Sequence, residues 1–137
     1  MVNKVTLIGR LGKDPEVRTL DSGTNIAKFS LATDESYKDK NGEWQTQTEW
    51  HTVILWRGLA ERAEATLKKG MLVYIEGKLT NRSWQDDQGK TNYITEVRGT
   101  YFRLLQSKEM NGNQVQQDAP SSSTAPTTAD TSDDLPF

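Results

Sequence analysis

The chain has 137 residues, of which 34% are hydrophobic and 26% charged, with one histidine and no cysteine. That composition excludes a disulfide framework and a thiolate metal site, and one histidine leaves no ordinary zinc ligand set, so no metal or cofactor is expected. The net charge of -2 hides an asymmetry, because residues 1–107 carry 16 basic and 14 acidic side chains while residues 108–137 carry 1 and 5.

In chain order, period-two alternation places a first strand over residues 3–11 and a second over 25–33, both rich in Val, Ile, Thr and Phe. The stretch DESYKDKNGEWQTQ, residues 34–47, is polar and contains Asn41-Gly42, a hairpin signal, so it is expected to protrude as a two-stranded arm. Next, Trp50, Thr52, Ile54 and Trp56 alternate with His51, Val53 and Leu55 in a third strand. The segment LAERAEATLKKG, residues 59–70, puts Leu59, Ala63 and Leu67 on one face. It is expected to form a short helix with Gly58 as N-cap, Lys68 and Lys69 in its last turn and Gly70 as its stop. A fourth strand follows, in which Met71, Val73, Ile75, Gly77 and Leu79 alternate with Leu72, Tyr74, Glu76, Lys78 and Thr80. The turn DDQG, residues 86–89, leads to a fifth strand over 92–104.

Three strands, a helix and two strands within about 105 residues is the order of the OB-fold, a five-stranded Greek-key barrel closed at one end by a helix between strands three and four. The expected fold class is therefore all-β. From Ser107 onward the composition shifts to Asn, Gln, Ser, Thr, Ala, Pro and Asp, and the mean hydropathy of -0.76 is low for a chain compact throughout. Such a stretch cannot bury enough apolar surface to offset the entropy of ordering it. Residues 1–106 are read as the folded domain, 107–132 as a disordered polar linker and 133–137, DDLPF, as a distinct acidic and hydrophobic tip. No apolar run approaches the roughly 18 residues of a membrane span, so a cytoplasmic protein is the expectation.

Core aromatics share parity with buried aliphatic positions, but Trp84 shares parity with Lys78 and Arg82, and Trp50 and Trp56 oppose the parity of Val53 and Leu55. Tyr37 and Trp44 fall in the polar arm. Aromatic rings at exposed positions, interleaved with Lys38, Lys40, Arg57, Lys78, Arg82 and Lys90, fit single-stranded nucleic acid, whose bases stack on rings while cations track phosphates. No helix is shaped for a major groove. Catalysis is not expected: the sequence has no phosphate-binding Gly-rich loop, no G-x-S-x-G, and only His51 as an imidazole. The acid pairs Asp86-Asp87 and Asp133-Asp134 fall in a turn and in the tail.

The segments VNKVTLIGRLGKDPEVR at 2–18, FSLATDESY at 29–37, TEWHTVILWRGLAE at 48–61, LKKGMLVYIEGKL at 67–79 and the final DDLPF resemble the bacterial single-stranded DNA-binding protein (SSB) family in order and spacing. The resemblance implies an OB-fold subunit, a homotetramer, and sequence-independent binding of single-stranded DNA without catalysis. It also implies a nucleoid-associated role in which the tail end recruits replication, recombination and repair proteins. The family's stacking aromatics match Tyr37, Trp50, Trp56 and Trp84, with Trp44 an additional ring in the arm. Its phosphate contacts match Arg18, Lys69 and Arg82, and parity adds Lys78. Thr52, Gly58, Thr80 and Ser83 stand where the family can be basic, which implies a smaller electrostatic share. By the same comparison His51 lies near a subunit interface.

In the tip, Phe137 offers a ring for an apolar pocket, Pro136 restricts the backbone before it and Leu135 adds a second contact. Asp133 and Asp134 can meet a basic rim on a partner. The competing reading is an OB-fold adaptor for RNA or protein, in which the exposed rings would form an interface.

Overall fold

The computed structural model describes residues 1–106, so the linker at 107–132 and the tip at 133–137 lie outside the described residues. The elements are β1 (Val5–Leu11), β2 (Glu16–Thr19), β3 (Asn25–Lys38), β4 (Trp44–Trp56), α1 (Gly58–Thr66), β5 (Leu72–Gln85) and β6 (Thr91–Gln106). Hydrogen-bonded neighbours run β1-β5-β6-β4-β3, and β3 returns to β1 through Arg10↔Ala32 and Leu11↔Leu31, so five strands close on themselves. The short β2 takes the rest of the same edge of β3, from Glu16↔Lys28 to Thr19↔Asn25. Closure is completed by a brief parallel pairing of β4 with β6, Val53↔Val97 and Ile54↔Arg98. This is the expected OB-type barrel, with its helix between β4 and β5.

Alternation explains the interior. Phe29 and Leu31 of β3, Val53 and Leu55 of β4, Val73 and Ile75 of β5, and Val97 and Phe102 of β6 point inward and are buried. Ala60, Ala63 and Leu67 join the same cluster and seal one end of the barrel. Each fully buried side chain of Val, Leu or Phe size contributes about 1.5–3 kcal/mol relative to exposure, which makes this cluster the main stabilising term.

Several local expectations are corrected. The helix spans Gly58–Thr66 and not 59–70, with no basic residue in its last turn. Leu67 is already extended, and the Gly70 N–H donates to the Leu11 carbonyl at 2.8 Å, so the segment carrying Lys68 and Lys69 is drawn out of the helix toward β1. Gly58 is not the N-cap: Arg57 occupies that position at φ 56°, and its N–H donates to the Asn25 carbonyl at 2.7 Å. Leu79 shares the parity of Val73 and Ile75 yet is half exposed, because β5 there runs on into a hairpin. The arm is a ladder that continues to Lys38↔Trp44, and its turn holds Gly42 at φ 77°. Among the described residues no helix is long and apolar enough to cross a membrane.

Candidate nucleic-acid interface

Residues directly paired across neighbouring strands share a sheet face. Lys28 pairs with Ile54, Ile54 with Arg98, and Arg98 with Lys78, so one row of outward side chains crosses β3, β4, β6 and β5 and carries three cations. The adjoining row holds Arg18, Ile26 and Trp56. Together they form a groove in which half-buried Trp56 lies among Arg18, Lys28, Ile54, Arg82 and Arg98. The Arg98 Cζ sits 4.9 Å from the Trp56 ring centroid, a cation-π contact that leaves the rest of the ring to a ligand. Arg82 reaches in two directions: its Nη2 donates to Glu96 Oε1 at 3.1 Å, and its Cζ lies 5.8 Å from the centroid of Trp84, which is 46% exposed.

The β3–β4 arm extends this face. Trp44, Trp50 and Trp56 have the same parity on β4, and Trp50 is 62% and Trp44 70% exposed. The edge of the Trp50 ring reaches the β1–β2 connection, where a Cβ on Gly12 would stand 2.5 Å from it, so glycine lets the ring approach the backbone this closely. Lys38 Nζ is 5.4 Å from the Trp44 ring centroid. Tyr37 is different: it pairs with Gln45 and so stands on the opposite side of the arm from Trp44 and Trp50. His51 is on that opposite side too, with its Nε2 2.9 Å from Thr33 Oγ1.

Acidic side chains in the turns are structural. The Asp39 carboxylate accepts from the N–H groups of Glu43 and Asn41 and from the Gln45 side-chain amide, and these bonds, Glu43 first, hold its carboxyl below the ordinary value of 3.8. Asp86 accepts from the N–H groups of Gln88 and Lys90 in the β5–β6 turn. Lys69 is not in the groove. It lines a separate depression with Lys13, Asp14, Glu16 and Lys68, where its N–H donates to Asp14 Oδ1 at 2.7 Å. There the Lys13 ammonium, 2.6 Å from Glu16, holds that carboxyl below its usual range.

The structure thus brings Trp56, Trp84, Arg18, Arg82 and Lys78 onto one face with Trp44 and Trp50 along its arm. Three charged groove residues are not singled out by the sequence: Lys28, Arg98 and Glu96. Lys28 carries a usable signal, since it opposes the parity of Ala27, Phe29 and Leu31. Arg98 and Glu96 do not, because the β6 burial pattern breaks at Glu96 and Val97, which are consecutive and both buried. Among the described residues, no group of His, Asp and Glu side chains is arranged to hold a metal ion.

Comparison with known proteins agrees with this geometry. Residues 2–105 match the Single-strand binding protein family. The chain is 46% identical over 112 residues to Single-stranded DNA-binding protein 1 of Chlorobaculum tepidum, an alignment covering 81% of this chain and 69% of the relative. Among solved structures it is similar to Plasmodium falciparum SSB in complex with ssDNA, with TM-score 0.71, 33% identity, and coverage of 77% of this chain and 96% of that one. It is also similar to a deletion mutant of the single-stranded DNA binding protein from Thermus aquaticus, with TM-score 0.69, 31% identity, and coverage of 78% and 52%.

Proposed function

The chain belongs to the single-strand binding protein family, a family of DNA-binding proteins and not of enzymes, and from that premise we propose how it works. It binds single-stranded DNA. Bases stack on Trp56, Trp84, Trp50 and Trp44, while Arg18, Lys28, Lys78, Arg82 and Arg98 track the phosphates. Neither contact reads base identity, so binding is independent of sequence. The observation that carries this reading is the groove itself, where an indole lies among four guanidinium and ammonium groups on strands that a closed barrel holds fixed. A duplex keeps its bases stacked inside and gains only the phosphate contacts. Tyr37, on the far side of the arm, is reached by a strand that passes around the arm's edge; Lys69 is a more distant phosphate contact.

The wider role follows from the same reading. The protein coats DNA exposed during replication, recombination and repair in the cytoplasm, at the nucleoid, and Asp133, Asp134, Leu135, Pro136 and Phe137 recruit partner proteins to it. A polar tether gives that tip reach and a raised effective concentration near the coated strand. The assembly is a homotetramer. Support comes from the outer face of β1, β5 and β6, where among polar neighbours Ile8 is 55% exposed beside Tyr74, and Tyr74 meets Tyr101 edge-on at 6.2 Å. Exposed apolar area of this kind is expected to be covered by another copy. His51 belongs to a subunit contact.

Fluorescence anisotropy of labelled oligo(dT), of a duplex and of an RNA oligomer of equal length tests the central part. The expected order is oligo(dT) well ahead of duplex; equal affinity for all three, or a preference for RNA, would reject it. Sedimentation of the protein alone reports the assembly, and a monomer at micromolar concentration would contradict the tetramer. Removal of residues 133–137 is expected to abolish capture of partner proteins while leaving DNA affinity intact or raised.

A further inference from the structure

Glu96 is the only buried charged side chain among the described residues, and it lines a groove whose other charged residues, Arg18, Lys28, Arg82 and Arg98, are all cations. Its side chain is 6% exposed, whereas that of its partner Arg82 is 58% exposed. By charge alone a carboxylate there works against a phosphate ligand, because it cancels one of the groove's positive charges. Its position gives it a different use. Arg82 lies on the stretch of β5 that leaves the barrel for the β5–β6 hairpin, paired with Ile94, where a long exposed side chain would otherwise sample many rotamers. Glu96 stands on the adjacent strand opposite Thr80, whose hydroxyl donates to the Glu96 backbone carbonyl at 3.3 Å, and the burial of its side chain holds the carboxylate against the barrel wall. One guanidinium nitrogen of Arg82 is bound to it, and the remaining N–H donors stay available beside Trp84 and Trp56.

We propose that Glu96 is a positioning residue for single-stranded DNA binding: it holds the Arg82 fork between the Trp56 and Trp84 stacking sites, aimed at the phosphate that joins the two stacked bases. The inference rests on the groove being the DNA site. A tethered fork loses less freedom when the phosphate arrives, so the carboxylate favours binding in spite of its sign.

The sign makes a decisive test. Oligo(dT) affinity and its salt dependence are measured for the full-length protein, for Glu96→Gln, for Glu96→Asp, for Arg82→Gln and for the double variant Arg82→Gln/Glu96→Gln. If the wild type fails to bind oligo(dT), the DNA reading itself fails. With the wild type binding, Glu96→Gln is expected to weaken affinity by about fivefold to tenfold although the groove gains a net positive charge, since the ion pair that holds Arg82 is reduced to a weaker hydrogen bond from its guanidinium to an uncharged amide oxygen. Glu96→Asp keeps the charge, withdraws the carboxylate by one methylene, and is expected to weaken binding as well. The double variant is expected to bind no worse than Arg82→Gln alone, because the two residues act through one contact. Tighter binding with a steeper salt dependence in Glu96→Gln would make Glu96 a simple electrostatic brake and overturn the proposal. So would wild-type affinity in Glu96→Asp, or additive losses in the double variant. Should Glu96→Gln not fold, as judged by circular dichroism, Glu96→Asp decides the matter alone.

Discussion

Arg98 and Trp56 lie on the two strands whose parallel pairing closes the barrel, and the guanidinium covers one side of the indole at 4.9 Å. The contact joins the two kinds of interaction that a single strand offers, phosphate charge and base face, at one place. It also separates them experimentally.

Trp56→Ala removes a stacking surface and no charge. It is expected to cost about 1–3 kcal/mol of oligo(dT) affinity, with little change in the slope of log affinity against log salt. Lys28→Ala removes a charge and no ring, and is expected to lower that slope by about 0.7 at modest loss of affinity. Arg98→Ala should do both. Titrations at several salt concentrations check the dissociation; a Trp56 variant that mainly changed the slope would place the ring away from DNA.

The two sides of the arm are expected to differ. Trp50→Ala, on the groove side, should weaken the binding of short and long oligo(dT) alike by about 1–3 kcal/mol. Tyr37→Ala should matter only for oligomers long enough to pass around the arm. Equal losses at every length would put Tyr37 on the same path as Trp50.

The start of α1 contains removable strain. Arg57 adopts φ 56° and ψ -127°, a conformation that suits glycine, and no side chain caps the helix there. Backbone strain of this type costs about 1–3 kcal/mol, of which the greater unfolded-state freedom of glycine takes back somewhat less than 1. Arg57→Gly is therefore expected to raise stability by about 1 kcal/mol, read as a higher denaturant midpoint with unchanged m-value.

At the arm's tip the Asp39 carboxyl is held below its ordinary value of 3.8 by hydrogen bonds to Glu43, Gln45 and Asn41. A lowered folded value means that the stabilisation is complete above 3.8 and is lost as pH falls through the lower folded value. Protection of the Glu43 and Asn41 amides, taken relative to the intrinsic exchange rate at each pH, should fall on acidification through that window. In Asp39→Ala that protection should be low at every pH.

How much of this was legible in the sequence depends on where each signal resides. Strands with one face on the core announce themselves, so Val53 and Leu55 inward and Trp50 and Trp56 outward follow from alternation alone. β2 does not: EVRT is polar and four residues long, and it is a strand because the exposed edge of β3 takes it up. The helix ends early for a tertiary reason, the Gly70 hydrogen bond to Leu11. Arg98, Lys28 and Lys78 are far apart in the chain and become a row only when the barrel closes. Glu96 is buried at a position whose neighbour Val97 is buried too, and a period-two pattern cannot express that. Tyr37 and Trp44 read alike as aromatics in a polar arm, and only the register of the ladder sets them on opposite sides.

Titration of intrinsic tryptophan emission with oligo(dT) at low salt tests the central claim most directly, because Trp44, Trp50, Trp56 and Trp84 are all four tryptophans of the chain. Saturable, strong quenching, reversed by high salt and diminished in Trp56→Phe and Trp84→Phe, is the predicted result. Emission that stays constant while the oligomer is bound, or no binding at all, would contradict it.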